Sequence, residues 1–241
     1  MPYKLPKEAS EFVLFQRTSL IHDGRSKLTK KLSRFGIGKT YEEVVRDQSK
    51  KTQNQIEKEY YKNVNVSFHD IKNHFPSDTK SILDIGSGIA GLDVFIQNLL
   101  KNNKPVFYLL DKTRSEKKIW YSFSENGAFY NSLLLAKKNL ILNGISSNKI
   151  NLIEAPANGT IKNLKNIDLI VSTISWGYHY PVDVYMNSVL KIMSKNGTLI
   201  LDVRKNSGGL ESLASKFNHI SIIKEYKNRF TIKCTKKNSA N

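Results

Sequence analysis

The chain has 241 residues, of which 39% are hydrophobic, so it is long enough for one large α/β domain with an appendage and a sizeable buried core. The formal net charge is +17, from 38 Lys and Arg against 21 Asp and Glu. The single cysteine, Cys234, excludes an internal disulfide framework and a cysteine-based zinc site.

The basic charge leaves the class of partner open. The lysines are scattered along the chain, which favours a solvated basic surface, while nucleic acid stays an alternative partner. The N-terminus lacks an apolar core of signal-peptide length, and no apolar run approaches the ~20 residues of a membrane span. We therefore expect a cytoplasmic protein in a reducing compartment, with no membrane partner.

The first 75 residues differ from the rest of the chain. Residues 22–40 are polar and contain several glycines, whereas residues 41–64 lack Pro and Gly and predict one long, mostly polar helix. We expect residues 1–75 to form a helical N-terminal cap or lid, and residues 76–241 to form the main domain.

From residue 80 onward, apolar strands alternate with amphipathic helices. Strands are predicted at 81–85, 105–111, 149–155, 167–174 and 198–203, and helices at 92–102, 129–144, 182–193 and about 209–217. Two further strands, 220–226 and 229–234, are separated by only two residues and predict an antiparallel hairpin. The pattern indicates a doubly wound α/β sheet, parallel except for its last two strands.

The stretch SILDIGSGIAG, residues 81–91, links the first strand to its helix through three glycines. Gly86, Gly88 and Gly91 permit a tight turn and let a ligand approach the backbone beside the helix N-terminus. The G-x-G-x-x-G spacing also matches the dinucleotide fingerprint, and Asp111 lies twenty positions after Gly91, where that fingerprint has its ribose-binding acid. On this spacing alone NAD remains a possible ligand.

Asp84 distinguishes between the two ligands. A carboxylate two positions before the first glycine would repel a dinucleotide pyrophosphate, but it would attract the positively charged amino-acid portion of S-adenosylmethionine. This residue favours S-adenosylmethionine as the cofactor.

The segment ILDIGSGIAG, residues 82–91, resembles the first motif of the Rossmann-like class I S-adenosylmethionine-dependent methyltransferases, and the resemblance covers about residues 80 to 235. It implies a seven-stranded sheet and an enzyme of that class. It also implies a cofactor site, which we take to comprise Asp84, Gly86, Ser87, Gly88, Asp111, Lys112, Glu154, Ala155 and Ser172. In this family pattern the residues 84–88 face the methionine portion, Asp111 binds the ribose hydroxyls, and Glu154 with Ala155 contacts the adenine.

The stretch STISWGYHYPVDVY, residues 172–185, follows the fourth strand at the sheet edge where open α/β folds bind ligands. We expect Trp176, Tyr178 and Tyr180 to contact the substrate. His179 is a candidate general base for a hydroxyl acceptor, the alternative being a structural histidine.

The long connection between Asp111 and Ser132 is rich in aromatic residues. We expect Trp120 and Tyr121 within it to form a wall of the substrate pocket.

Several negative features narrow the chemistry. The Asn-Pro-Pro-aromatic tetrapeptide of amino-methylating nucleic-acid enzymes is absent after the fourth strand, where residues 172–175 read STIS. Cys234 lies far from a nucleophile position, and the His, Asp and Glu spacing predicts no metal site. These features favour metal-independent methyl transfer to a hydroxyl or amine.

The acceptor is expected to be a small molecule. Residues 175–181, SWGYHYP, and the long aromatic connection are similar to segments of bacterial methyltransferases described as acting on sugars, which ranks a sugar or glycan precursor first. The alternatives are an RNA methyltransferase and a non-catalytic, methyltransferase-like binding or scaffold protein. The sequence indicates no particular oligomeric state.

Overall fold

The computed structural model describes residues 3–33, 35–115 and 130–236. Its strands are β1 Ser81–Ile85, β2 Val106–Asp111, β3 Arg114–Ser115, β4 Tyr130–Asn131, β5 Ile150–Glu154, β6 Ile167–Ser172, β7 Met193–Arg204, β8 His219–Glu225 and β9 Arg229–Thr235. Its α-helices are α1 Ala9–Gln16, α2 Lys27–Ser33, α3 Tyr41–Lys51, α4 Gln53–Ile71, α5 Gly91–Leu99, α6 Leu133–Leu142, α7 Asp183–Ile192 and α8 Gly209–Ala214.

Seven strands form one sheet in the order β5-β2-β1-β6-β7-β9-β8. The first five are parallel to their neighbours, and β9 pairs antiparallel with both β7 and β8. Strands β3 and β4 form a separate two-stranded ladder. The predicted seven-stranded, doubly wound sheet with a C-terminal antiparallel hairpin is confirmed.

Helices cover both faces of the sheet because successive side chains of each strand point to opposite sides. On β1, Ile82 belongs to a core shared with α1, α4, α5 and α6. Leu83 and Ile85 belong to a second core shared with α7 and α8. The carboxyl ends of the parallel strands therefore lie between two layers of helices.

The N-terminal helices share the first core with the sheet. Buried Val13 of α1 and Val64 of α4 lie in the same apolar cluster as Ile82 of β1 and Ile96 of α5. The boundary near residue 75 stays a prediction, but the residues on its N-terminal side are packed against the sheet's own helices.

The prediction of one helix over residues 41–64 was wrong. The chain forms α3 and α4, separated at Thr52, whose φ of −125° and ψ of 31° are not helical. The backbone N–H and the hydroxyl of Thr52 both donate to the Gln48 carbonyl, ending α3. Helix α4 then continues to Ile71, beyond the predicted end.

Other predicted boundaries shift by a few residues. Helix α6 begins at Leu133 instead of residue 129, because Ser132 caps it by accepting a hydrogen bond from the Leu135 N–H at 3.4 Å. Helix α7 ends at Ile192, and extended Met193 already begins β7. Within the described ranges, no helix is both long and apolar enough to cross a membrane.

Candidate functional site

A cavity of about 190 Å³ lies at the carboxyl ends of β1, β2 and β6. The loop after β1 and the end of β2 form one side, and the segment that follows β6, residues 173–175, forms another. The end of α1 and one face of α4 complete the wall from the N-terminal region. The cavity is at the sheet edge where open α/β folds bind ligands.

The glycine loop approaches its neighbours too closely for larger residues. Gly86 has a φ of +77°, and a Cβ there would lie 1.7 Å from Ser175 Oγ. Gly88 has a φ of +56°, and a Cβ there would lie 2.7 Å from Gln16 Oε1. The loop therefore presents bare backbone to the cavity.

Asp111 ties this loop to the end of β2. Its carboxylate accepts hydrogen bonds from the Gly88 N–H at 2.8 Å and from the Lys112 N–H at 2.7 Å. Burial nevertheless raises the pKa of Asp111 to about 6, because desolvation of the carboxylate outweighs these two bonds and a hydrogen bond from the Asn131 side chain. A ligand that donates hydrogen bonds to Asp111 would stabilise its charged form.

Asp84 and Asp93 form a buried acidic pair behind the glycine loop. Both oxygens of Asp93 are buried, and the Asp84 carboxyl group is close enough to share a hydrogen bond with Asp93. Burial and the nearby Asp93 raise the pKa of Asp84 well above its usual value, and burial raises the pKa of Asp93 to about 6. A positive charge in the cavity would relieve the repulsion between these carboxyl groups.

One further polar group of the cavity wall lacks a partner. The Ser87 hydroxyl is buried, and the described residues offer it no hydrogen bond. Buried polar groups are normally paired, so a ligand with a polar group facing Ser87 would complete this wall.

The segment after β6 is held in a strained conformation. Ile174 has a φ of +51°, which is unusual for a β-branched residue. Its N–H donates to the buried Asp202 carboxylate at 3.0 Å, and Asp202 is also hydrogen-bonded by Thr231 and paired with Arg229 at 3.1 Å. Strain of this kind concentrates at functional sites.

His179 and Tyr180 reach the cavity from the same segment. Burial, followed by the positive charges of Arg204 and Arg17, lowers the pKa of His179 to about 4. The imidazole is therefore neutral at pH 7, and its unprotonated nitrogen can accept a hydrogen bond. The Tyr180 hydroxyl lies 3.5 Å from Ser175 Oγ and is nearly inaccessible to water.

The N-terminal wall contains residues that the sequence analysis did not single out. Residues 15–18 contribute Arg17, and α4 contributes Tyr60, Val64 and Ser67, which share one helix face by their spacing. Tyr60 accepts a hydrogen bond from the Gly91 N–H at 3.1 Å, joining α4 directly to the glycine loop. The sequence predicted only that the N-terminal region forms a cap or lid. No local motif identifies these individual residues as part of the cavity wall.

Two predicted site residues lie in the core instead of the cavity. Trp176, predicted as a substrate contact, is 0% exposed, and its indole N–H donates to the Val182 carbonyl at 2.8 Å. Ser172, predicted in the cofactor site, is also 0% exposed, and its hydroxyl donates to the Ile85 carbonyl at 2.8 Å. Both side chains are used to shape the loop after β6.

Tyr178 also points away from the cavity. The Arg204 guanidinium lies over its ring, 4.5 Å from the centroid, and its hydroxyl accepts a hydrogen bond from the Asn228 amide. A role in substrate contact would require this arrangement to change.

The remaining predicted residues lie around the end of β5 or outside the described ranges. Glu154 accepts a hydrogen bond from the Thr113 N–H at 3.0 Å, and the Ala155 N–H donates to the Asp111 carbonyl at 2.9 Å. These two residues and the Lys112 side chain flank the cavity without lining it. Trp120 and Tyr121 lie outside the described residues, among which no group of three or more His, Cys, Asp or Glu could hold a metal ion.

Solved structures share this architecture. No protein-family model and no curated protein matches the sequence. A precorrin-6y C5,15-methyltransferase of Geobacter metallireducens aligns at 16% identity over 72% of this chain and 86% of its own, with a TM-score of 0.50. The chain has the class I methyltransferase fold.

Two other methyltransferases superpose with similar agreement. A candidate O-methyltransferase of Nostoc punctiforme aligns at 12% identity over 73% of this chain and 56% of its own, with a TM-score of 0.52. A 16S rRNA N2 G1207 methyltransferase of T. thermophilus, solved with AdoMet and guanosine, aligns at 12% identity over 72% of this chain and 43% of its own, with a TM-score of 0.51. The acceptors named for these structures are a precorrin in the first and 16S rRNA in the last.

Proposed function

We propose that the protein is an S-adenosylmethionine-dependent methyltransferase that acts on a hydroxyl group of a small molecule, a sugar or glycan precursor being the first candidate. The observation that carries the proposal is the cavity at the carboxyl edge of the sheet, where a bare glycine loop lies between two buried carboxyl groups, Asp84 and Asp111.

The residues of the cavity fit this cofactor chemically. A cationic amino-acid portion would stabilise the ionised form of Asp84, whose pKa is raised well above its usual value by burial and by Asp93, and Asp111 offers an acceptor to ribose hydroxyls. The unpartnered Ser87 hydroxyl and the backbone of residues 86–88 offer further polar contacts. When bound, S-adenosylmethionine carries a methyl group on a positively charged sulfur. After the methyl group is transferred, the rest of the cofactor is a neutral thioether and dissociates.

The acceptor end of the cavity is formed by the segment after β6. His179 is neutral at pH 7, since burial lowers its pKa to about 4, and an imidazole with so low a pKa is a weak base. It would therefore accept a hydrogen bond from the acceptor hydroxyl and take the proton as the oxygen becomes acidic on bonding to the transferred methyl group. Arg17 and the strained residue Ile174 face the same space, and the fixed backbone there would orient the acceptor. The chain's own contribution is thus alignment and proton removal.

RNA is a second candidate acceptor, and the net charge of +17 is the observation that favours it. The cavity favours the small molecule, because α1 and α4 of the N-terminal region form part of its wall and leave a volume of about 190 Å³.

Methyl transfer from S-adenosylmethionine labelled in its methyl group tests the proposal. Purified protein would be incubated with separate pools of sugars, phenols and total RNA, with Asp84→Asn as the inactive variant and Asp78→Asn, an exposed acid, as its matched control. We expect label in a small-molecule hydroxyl pool for the wild type and for Asp78→Asn only. Label in RNA alone would overturn the acceptor, and no label in any pool would favour the scaffold alternative.

A further inference from the structure

A surface away from the cavity combines basic and apolar side chains in the α2 segment, residues 25–39. Residues 24–41 contain six Lys and Arg and no Asp or Glu. Helix α2 buries none of its seven residues. A helix that buries nothing of its own has no packing reason to carry apolar side chains.

Exposed apolar residues are nevertheless concentrated here. Leu28 is 67% exposed, Leu32 36%, Phe35 75% and Ile37 58%. These are four of the ten large apolar residues exposed in the described chain, and they fall within ten positions. Exposed apolar residues that cluster, instead of lying singly, indicate an interaction surface.

The turn after α2 gathers these side chains. The Gly36 N–H donates to the Ser33 carbonyl and the Ile37 N–H donates to the Leu32 carbonyl, both at 3.2 Å, with Gly36 at a φ of +80°. This pair of bonds ends the helix and brings Ile37 back toward Leu32. Leu28 lies one turn earlier on the same helix face as Leu32.

Lysines stand beside this apolar surface. Lys27 and Lys31 are exposed, lie one turn apart, and form no ion pair with any described acid. The base of the segment is fixed by Arg25, which donates to the Lys39 carbonyl at 2.6 Å and pairs with Asp23 at 2.9 Å. The α2 segment therefore presents free positive charge next to apolar side chains on an anchored turn.

The partner must satisfy both features. Nucleic acid would attract the lysines and could stack on Phe35, but it would leave the leucines and Ile37 uncovered. A bilayer with anionic headgroups attracts the lysines and also accepts the apolar side chains at its interface. We propose that the α2 segment binds the surface of membranes that contain anionic phospholipids. This proposal replaces the expectation of no membrane partner, which rested only on the lack of an apolar run long enough to span a bilayer. This inference does not depend on the proposed methyltransferase activity.

Vesicle sedimentation of the full chain tests the inference. The probes are vesicles of phosphatidylcholine mixed with phosphatidylglycerol in equal parts, and vesicles of phosphatidylcholine alone. The variants are Phe35→Ser with Ile37→Ser, and Lys27→Gln with Lys31→Gln. All four side chains are exposed, so both variants should keep the thermal midpoint of the wild type.

Matched controls come from exposed residues elsewhere. Leu134→Ser changes an apolar residue of α6 that is 73% exposed, and Lys62→Gln removes an exposed charge from α4. We expect wild type and both controls to sediment with the anionic vesicles and not with the neutral ones. Each double variant should lower the partition coefficient about tenfold or more, because the lysines are attracted to the anionic surface and the buried apolar area adds to that attraction.

Two other results would overturn the inference. If only the lysine variant weakens sedimentation, the attraction is the general adsorption of a basic protein and no apolar contact is made. The second result is that the wild type sediments with neither kind of vesicle but binds total RNA. If Phe35→Ser with Ile37→Ser abolishes that RNA binding, the α2 segment binds nucleic acid instead of a membrane.

Discussion

The Asp111 carboxylate accepts hydrogen bonds from the Gly88 and Lys112 N–H groups while it faces the cavity. Asp111→Asn replaces one acceptor oxygen by an N–H₂ group and removes the charge. We expect the affinity for S-adenosylmethionine to fall about tenfold or more, since a hydrogen bond to a charged group contributes about 1.5–3 kcal/mol. Titration calorimetry measures the change, with Asp78→Asn as control; wild-type affinity in Asp111→Asn would remove Asp111 from the cofactor site.

The buried Asp93 predicts a pH dependence of stability. Its pKa is raised to about 6 from 3.8, so the folded protein binds more protons than the unfolded chain between about pH 4 and about pH 6. The free energy of unfolding contributed by Asp93 therefore falls as the pH rises through this window. Asp93→Asn removes this loss, because the amide stays neutral and can donate to Asp84.

Thermal unfolding of wild type and Asp93→Asn across this pH range checks the prediction. At pH 7 we expect the variant to melt higher, by roughly 2–4 °C for each kcal/mol recovered, and the difference should shrink below about pH 5. His179, whose lowered pKa contributes with the opposite sign, is present in both proteins. A difference that does not change with pH would show that Asp93 keeps an ordinary pKa.

His179 gives the third prediction at the residue scale. His179→Ala should leave the affinity for S-adenosylmethionine unchanged and slow methyl transfer about 10²-fold, the lower range for a general base. As the pH is lowered, the kcat/KM of the wild type should decline only when the pH approaches the His179 pKa of about 4. His219→Ala, at an exposed histidine, is the control. Turnover equal to wild type in His179→Ala would make the histidine structural.

Single residues were only partly predictable from the sequence. Asp84, Asp111 and the glycines stand in a linear motif, and the structure places them together around one cavity. Trp176 was misassigned because an aromatic residue in a loop can point either to a ligand or to the core, and here its indole N–H meets the Val182 carbonyl. Local sequence does not decide between these directions.

Helix α4 is the element that connects the N-terminal region to the glycine loop. Tyr60→Phe removes the acceptor of the Gly91 N–H and leaves this buried group unpaired. We expect a loss of about 1–3 kcal/mol in the free energy of unfolding, together with weaker cofactor binding. Denaturant unfolding measures the loss.

Tyr3→Phe is the matched control, because its hydrogen bond with Asn98 is exposed and water can replace it. Equal losses in Tyr60→Phe and Tyr3→Phe would show that α4 does not stabilise the glycine loop through this bond.

The break between α3 and α4 shows what element prediction misses. Residues 41–64 contain no Pro or Gly, so periodicity gives one helix. The observed break depends on Thr52, whose hydroxyl bonds back to Gln48, and on packing of α3 and α4 against α1. Such tertiary contacts are not encoded in any short window.

At the scale of the whole molecule, the sheet was the most predictable feature. Alternating strands and helices require parallel pairing with right-handed crossovers. The last two strands are joined by only three residues, two in the prediction, and so short a link requires an antiparallel hairpin. The part of the cavity wall formed by residues 15–18 could not be predicted from the sequence. These residues lie some seventy positions before the glycine loop in the chain, and only the tertiary fold brings the two together.

The central claim is that this cavity binds S-adenosylmethionine. Titration calorimetry of the wild-type protein against S-adenosylmethionine, with NAD as a parallel titrant, tests it most directly. A cationic ligand would stabilise the ionised form of Asp84, whereas a pyrophosphate would repel it. We therefore predict micromolar binding of S-adenosylmethionine and no binding of NAD. Binding of NAD alone, or of neither compound, would contradict the claim.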